Sequence, residues 1–276
     1  MSRWTIEEPA TLDFDGVVAL KATLIAGSIS VLASDDRPSL QVAAIDGPPL
    51  VVTHEAGMLS VSHERMLEGM LSWLQRQKVR ADITVTVPRE CPVTITLVSA
   101  DAVIAGLTAR ASIKSATGDV TLDGVVGDID ANTVSGAMEA QGVDGKVAFT
   151  SVSGDLALAG GSIDRLAART VSGRIAADVE LAGASRVEVN TVSGEVTLRV
   201  PDSISAEVQL NSAAGRLDTS FPGLDRQDRT VGKSLGGTIG DGSGRLSVTT
   251  VSGGVTLLSR PGDGDDPEID TPGMEN

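Results

Sequence analysis

The stretch Thr191-Val192-Ser193-Gly194-Glu195-Val196-Thr197-Leu198-Arg199-Val200 is the clearest copy of a pattern that recurs through two-thirds of the chain. Its V-S-G core returns as Thr133-Val134-Ser135-Gly136, Ser151-Val152-Ser153-Gly154, Thr170-Val171-Ser172-Gly173 and Thr250-Val251-Ser252-Gly253. Looser copies are Ser115-Ala116-Thr117-Gly118 and Ser212-Ala213-Ala214-Gly215. Glycines 118, 136, 154, 173, 194 and 215 follow one another at 18, 18, 19, 21 and 21 residues. Self-similarity at a period near 20 marks a solenoid, in which each repeat is one coil that cannot bury its apolar face alone. Gly253 lies 38 residues beyond Gly215, which reads as two periods with one marker missing.

Within a period, Val192, Val196, Leu198 and Val200 alternate with Ser193, Glu195, Thr197 and Arg199, the period-2 signature of a strand with one apolar side. Gly194 falls on the apolar side, where a missing Cβ admits another backbone layer. A second strand follows a glycine turn, as in Val143-Asp144-Gly145-Lys146-Val147-Ala148-Phe149. Between Phe149 and Val152 the apolar spacing changes from two to three, so the chain turns a corner there. Each coil thus gives one strand to each of two stacked sheets. The expected fold is an all-β, two-sheet β-solenoid of coils of about 18–21 residues. The composition agrees: 31 Gly, 2% aromatics and no Tyr describe thin layers of small side chains. Each buried Val or Leu contributes about 1.5–3 kcal/mol relative to exposure.

Outside the repeats the reading is coarser. Residues 1–62 show short β-type runs broken by turn signals, and read as antiparallel strands. Residues 64–78 are different: Met66, Met70, Trp73 and Leu74 fall near one helical face, widened by Leu67 and Leu71, predicting one short amphipathic helix. Its expected role is to cap an open end of the stack, with Leu67, Met70, Leu71 and Trp73 as candidate partner-binding residues. Residues 1–99 are then an N-terminal β region of the same domain, 100–259 the solenoid repeats, and 260–276 a disordered acidic tail. Residues 221–244 interrupt the period and read as a long loop or distorted coil.

The V-S-G repeats, the strand ending in Val85-Thr86-Val87-Pro88 and the closing Gly244-Arg245-Leu246-Ser247-Val248-Thr249-Thr250-Val251-Ser252-Gly253 resemble the bacterial putative-adhesin family. These are β-strand-repeat domains of unknown function, also called toastrack domains. The resemblance spans about residues 16–259 and implies the fold. It carries over no catalytic residues, and it implies a link to the bacterial envelope or its stress responses.

The chemistry that can be read is sparse. His54 and His63, the only histidines, end two runs joined by a turn; with no further ligand cluster they are expected to be solvent-facing strand residues. Cys91, a lone cysteine between Pro88 and Pro92, excludes an intrachain disulfide and reads as an inert small residue. Carboxylates sit at irregular phases without ring partners, unlike a polysaccharide-cleaving groove. Gly236-Gly237-Thr238-Ile239-Gly240-Asp241 does not repeat as a calcium-binding nonapeptide would. A ladder of Ser135, Ser153, Ser172 and Ser193 beside Thr133, Ser151, Thr170 and Thr191 invites ice binding, but the following Ala137, Asp155, Arg174 and Glu195 make the face irregular. Internal ladders tying turns together are the expectation.

A net charge of -15 repels polyanions, so no nucleic acid is expected. No apolar run approaches the roughly 20 residues that span a bilayer, and no signal peptide is read at the start. The expectation is therefore a cytoplasmic, non-enzymatic scaffold without metal or cofactor, using its sides or ends for protein partners or self-association. The alternative is a peripheral, adhesin-like module reaching a membrane only indirectly or through residues 64–78.

Overall fold

The computed structural model describes residues 2–63, 79–228 and 232–261. Every regular element among them is a strand. The helix expected over 64–78, with Leu67, Met70, Leu71 and Trp73, lies outside the described residues, as does the tail from 262.

The repeats stack as in-register parallel layers, each crossing two rows of strands. Val120–Asp123 pairs residue for residue with Met138–Gln141, which pairs in turn with the start of Leu156–Thr170. In the other row Ala111–Ser115 pairs with Val126–Thr133, and that strand with Asp144–Thr150. The inward positions of both rows form one continuous core. Layers lie about 4.8 Å apart, the spacing of hydrogen-bonded strands.

The stack sorts its motif glycines into a single column. A Cβ built on Gly154, Gly173 or Gly194 would lie 2.0–2.1 Å from the carbonyl oxygen of the motif glycine one layer before. The same test gives the layer order at the C-terminal end: a Cβ on Gly253 meets the Gly194 oxygen, and one on Gly215 meets the Gly253 oxygen. No marker is missing from the 38-residue gap. The last coil, Gly244–Thr250 and Val255–Arg260, is inserted between two earlier ones. It pairs on one side with Ile175–Thr191 and Val196–Pro201, and on the other with Ala206–Ser212 and Leu217–Thr219. The interrupted stretch before it holds Asp225–Asp228 and Lys233–Ile239, the latter antiparallel to Ala206–Ser212.

The N-terminal end repeats this device. One long strand, Ala19–Ala33, runs through a stretch that the sequence breaks with a turn signal, and it pairs in parallel with Val93–Ala105 on one side and with Met58–His63 and Arg80–Val87 on the other. Ala26-Gly27 reads as a hairpin turn in sequence, but Gly27, at φ +106°, bends the strand from one row into the next. Antiparallel pairing at this end begins outside that layer: Met58–His63 pairs with Leu50–Glu55 and Arg80–Val87 with Ser39–Asp46, and beyond them Ser2–Ile6 lies on Leu50–Glu55 and Ala10–Asp13 on Ser39–Asp46. Trp4 lies in Ser2–Ile6 and packs edge-on against Phe14, with ring centroids 5.5 Å apart. Each end of the solenoid therefore goes out, returns, and seats a further coil one layer inside.

Candidate interaction surface

The corner between the two rows is where sequence alternation and structure part. At each corner two successive side chains point outward, so the inward phase slips by one residue. Thr133, Ser151, Thr170, Thr191, Ser212 and Thr250 are buried, whereas Val134, Val152, Val171, Val192 and Val251 are 45–52% exposed. Val192 is thus on the outer side, contrary to the simple alternation. The inward hydroxyls close the corner: the N–H groups of Gly154, Gly173, Gly194, Gly253 and Gly215 donate to the hydroxyl three residues earlier at 2.7–3.0 Å. A buried hydroxyl with such a partner avoids the desolvation cost of an orphaned one.

The motif serines are spent as well. Ser135, Ser153, Ser172, Ser193 and Ser252 donate to carbonyls of the preceding layer at 3.3–3.4 Å. The threonines that an ice-binding array would set beside them face the core instead. Acidic side chains continue the theme: Asp101, Asp119 and Asp155 each accept a backbone N–H from the next layer at 2.7–3.0 Å. What the corner leaves uncommitted is an edge of five half-exposed valines in consecutive layers. Val98, at 37% exposure, heads the same edge; its carbonyl accepts the Thr117 N–H, and the Ala116 carbonyl accepts the Ser135 N–H. Exposed apolar side chains are ordinary singly; a contiguous line of them is the informative case.

At this corner the described chain stops at His63 and resumes at Val79. Three residues, 24–26, join Thr23 to Gly27, whereas eighteen, 63–80, join their register partners Ser62 and Ala81.

The other candidates are not brought together. In the hairpin, His54 pairs with Leu59 and His63 with Leu50, so the two imidazoles lie four positions apart. His63 is not solvent-facing: it is 2% exposed, and neither ring nitrogen has a hydrogen-bond partner. It follows Ser62, the partner of Thr23, and so takes the inward position that Leu24 holds in the next layer. Burial lowers its pKa from the ordinary 6.5. The unfolded chain therefore binds a proton that the folded chain resists. The resulting stability is complete above about pH 6.5 and is lost as pH falls from there through the depressed folded value. Thermal melts from pH 7.5 to 5 are expected to show wild type losing stability relative to His63→Leu; parallel curves would refute it.

Cys91 is buried, and burial pushes its thiol up to about 11, with the Leu20 backbone opposing the shift. Such a thiol is a poor nucleophile at neutral pH. At the opposite corner, Asp128, Asp144, Asp164 and Lys146 line an open depression of about 360 Å³. Asp144 there accepts the Ser162 N–H and Asp128 pairs with Lys146 at 3.5 Å. No group of three or more His, Cys, Asp or Glu placed to hold a metal occurs among the described residues. Among them, too, no helix is long and apolar enough to cross a membrane.

A family model described as Toastrack DUF4097 matches residues 48–258. No curated protein matches the sequence. Three similar crystal structures are each covered almost whole. One is described as a putative cell adhesion protein from Clostridium sporogenes (10% identity, 92% of this chain and 99% of that one, TM-score 0.32). Another is a putative lipid binding protein from Parabacteroides distasonis (12%, 92% and 97%, TM-score 0.38). The third is a putative adhesin from Parabacteroides merdae (10%, 92% and 96%, TM-score 0.27).

Proposed function

We propose that this chain, which belongs to the Toastrack DUF4097 family, is a non-catalytic β-repeat scaffold that docks a protein partner along its valine edge. The observation carrying this reading is the edge itself: Val134, Val152, Val171, Val192 and Val251 stand half-exposed in five consecutive layers, while the serines and threonines beside them are bonded within the stack. A rigid line of apolar side chains at strand spacing suits a partner that offers an extended apolar segment. The family resemblance supports a role for such a scaffold at the bacterial envelope or in its stress response, as part of this proposal.

A β-branched residue also favours the extended corner backbone, so the test must separate backbone preference from binding. Val152→Thr/Val171→Thr keeps the branching and removes apolar surface. A photo-cross-linking residue at position 192 of the full chain, in bacterial cells, is expected to give protein adducts that this double substitution abolishes. The same residue at Ala176, on a sheet face, is expected to give none, and the double variant should melt within a few degrees of wild type. Equal yields at 192 and 176, or adducts indifferent to the threonines, would count against the edge. Adducts from position 73 alone would favour docking through residues 64–78.

A further inference from the structure

We propose that the gap between the 187–201 and 206–219 layers is a coil-accepting site that also takes the 244–260 coil of a second copy of this chain, giving an exchanged dimer. The proposal is independent of the valine edge and stands or falls separately from it.

The first support is competition for the site. Gly215 follows Gly194 by 21 residues, the same interval that separates Gly173 from Gly194, two glycines stacked directly on each other. The connection is therefore long enough for the 206–219 coil to sit straight on the 187–201 layer. The inserted coil now mediates between them, and the positions it bridges match: Val187, Leu246 and Val208; Val189, Val248 and Leu210; Val196, Val255 and Leu217. Apolar faces apolar whether the insert is present or absent. During synthesis the 206–219 coil emerges first and closes the gap, and the last coil must displace it. That delay leaves an unseated coil and a re-openable site on each of two neighbouring copies, the condition under which identical elements exchange.

The second support is how the insert is held. Among the described residues it joins the stack through one connection, 240–243, where Gly240 and Gly242 have φ of +60° and +74°. Among the described residues, its ion pairs reach other layers: Arg245 to Glu207 at 2.8 Å, and Arg260 to Asp178 and Glu180. A second copy's coil offers the same groups to the same partners, so exchange costs no contact beyond those of the connection.

Thr197 and Thr256 are register partners across the gap wall, close enough for a short bismaleimide to span two cysteines. Full-length Thr197→Cys and Thr256→Cys chains, co-expressed with different tags, are expected to cross-link into a heterodimer of twice the chain mass. Each variant alone should not, and the parent, with only buried Cys91, should not. In a Thr197→Cys/Thr256→Cys chain, a link within one copy together with no heterodimer from the co-expressed pair would overturn the proposal. Light scattering of the wild-type chain provides an independent reading: a dimer fraction that persists on dilution is expected, and monomer alone at every concentration would refute exchange.

Discussion

Gly173→Ala is expected to unfold the stack, or to lower its stability by more than about 4 kcal/mol, a loss reserved for severe core defects. The added Cβ would sit 2.0 Å from the Gly154 carbonyl oxygen and 2.7 Å from its carbon, with the Thr170 hydroxyl at 3.0 Å. Two of those three atoms are backbone, and they cannot retreat without parting the layers along the hydrogen-bonded ladder. Gly124→Ala is the matched control. Nothing lies within 4 Å of its Cβ, and only its φ of +58° opposes the change, a cost of about 1–2 kcal/mol. Denaturant unfolding of both variants measures the contrast. Equal losses, or a Gly173→Ala chain within 1 kcal/mol of wild type, would show that the glycine column does not set the layer contact.

The glycine column was legible because a period of 18–21 residues with one Gly per period admits few other arrangements. The valine edge was not. Alternation places Val192 with Val196, and a buried Thr191 followed by an exposed valine inverts the usual polarity on both sides of the corner. Only the phase slip, two outward residues in succession, produces it, and a pattern of period two has no place for such a slip. Layer order was hidden for a different reason: repeats that match one another equally well carry no record of which neighbour each one takes. The 38-residue interval before Gly253 fits a missing marker as well as an inserted coil. His63 reads as a strand end, since nothing in the sequence marks the hairpin's far end as the inward position of an outer layer. The family resemblance, by contrast, rested on the repeats themselves and needed none of these details.

Phe149→Ala is expected to cost about 3–5 kcal/mol, the range for removing a large ring from a core. Among the described residues Phe149 is the largest fully buried side chain. Its register partners in the layers on either side are Ala131 and Ala168, both buried. The repeat period alone brings these three positions together, 18 residues back and 19 forward. Large stands between small, so the ring fills space that two methyl groups leave open. Truncation would align three alanines in one column, and a stack of hydrogen-bonded layers cannot collapse along its axis to close the void. Moving the ring by one layer should therefore rescue the loss. Phe149→Ala/Ala168→Phe is expected to recover at least half of the stability lost by Phe149→Ala, although Ala168→Phe alone overfills the column and costs about 1–3 kcal/mol. Denaturant midpoints of the three variants test this as a coupling between adjacent layers. A double variant no more stable than Phe149→Ala would mean that the ring is needed for contacts at its own position rather than for the volume shared along the column.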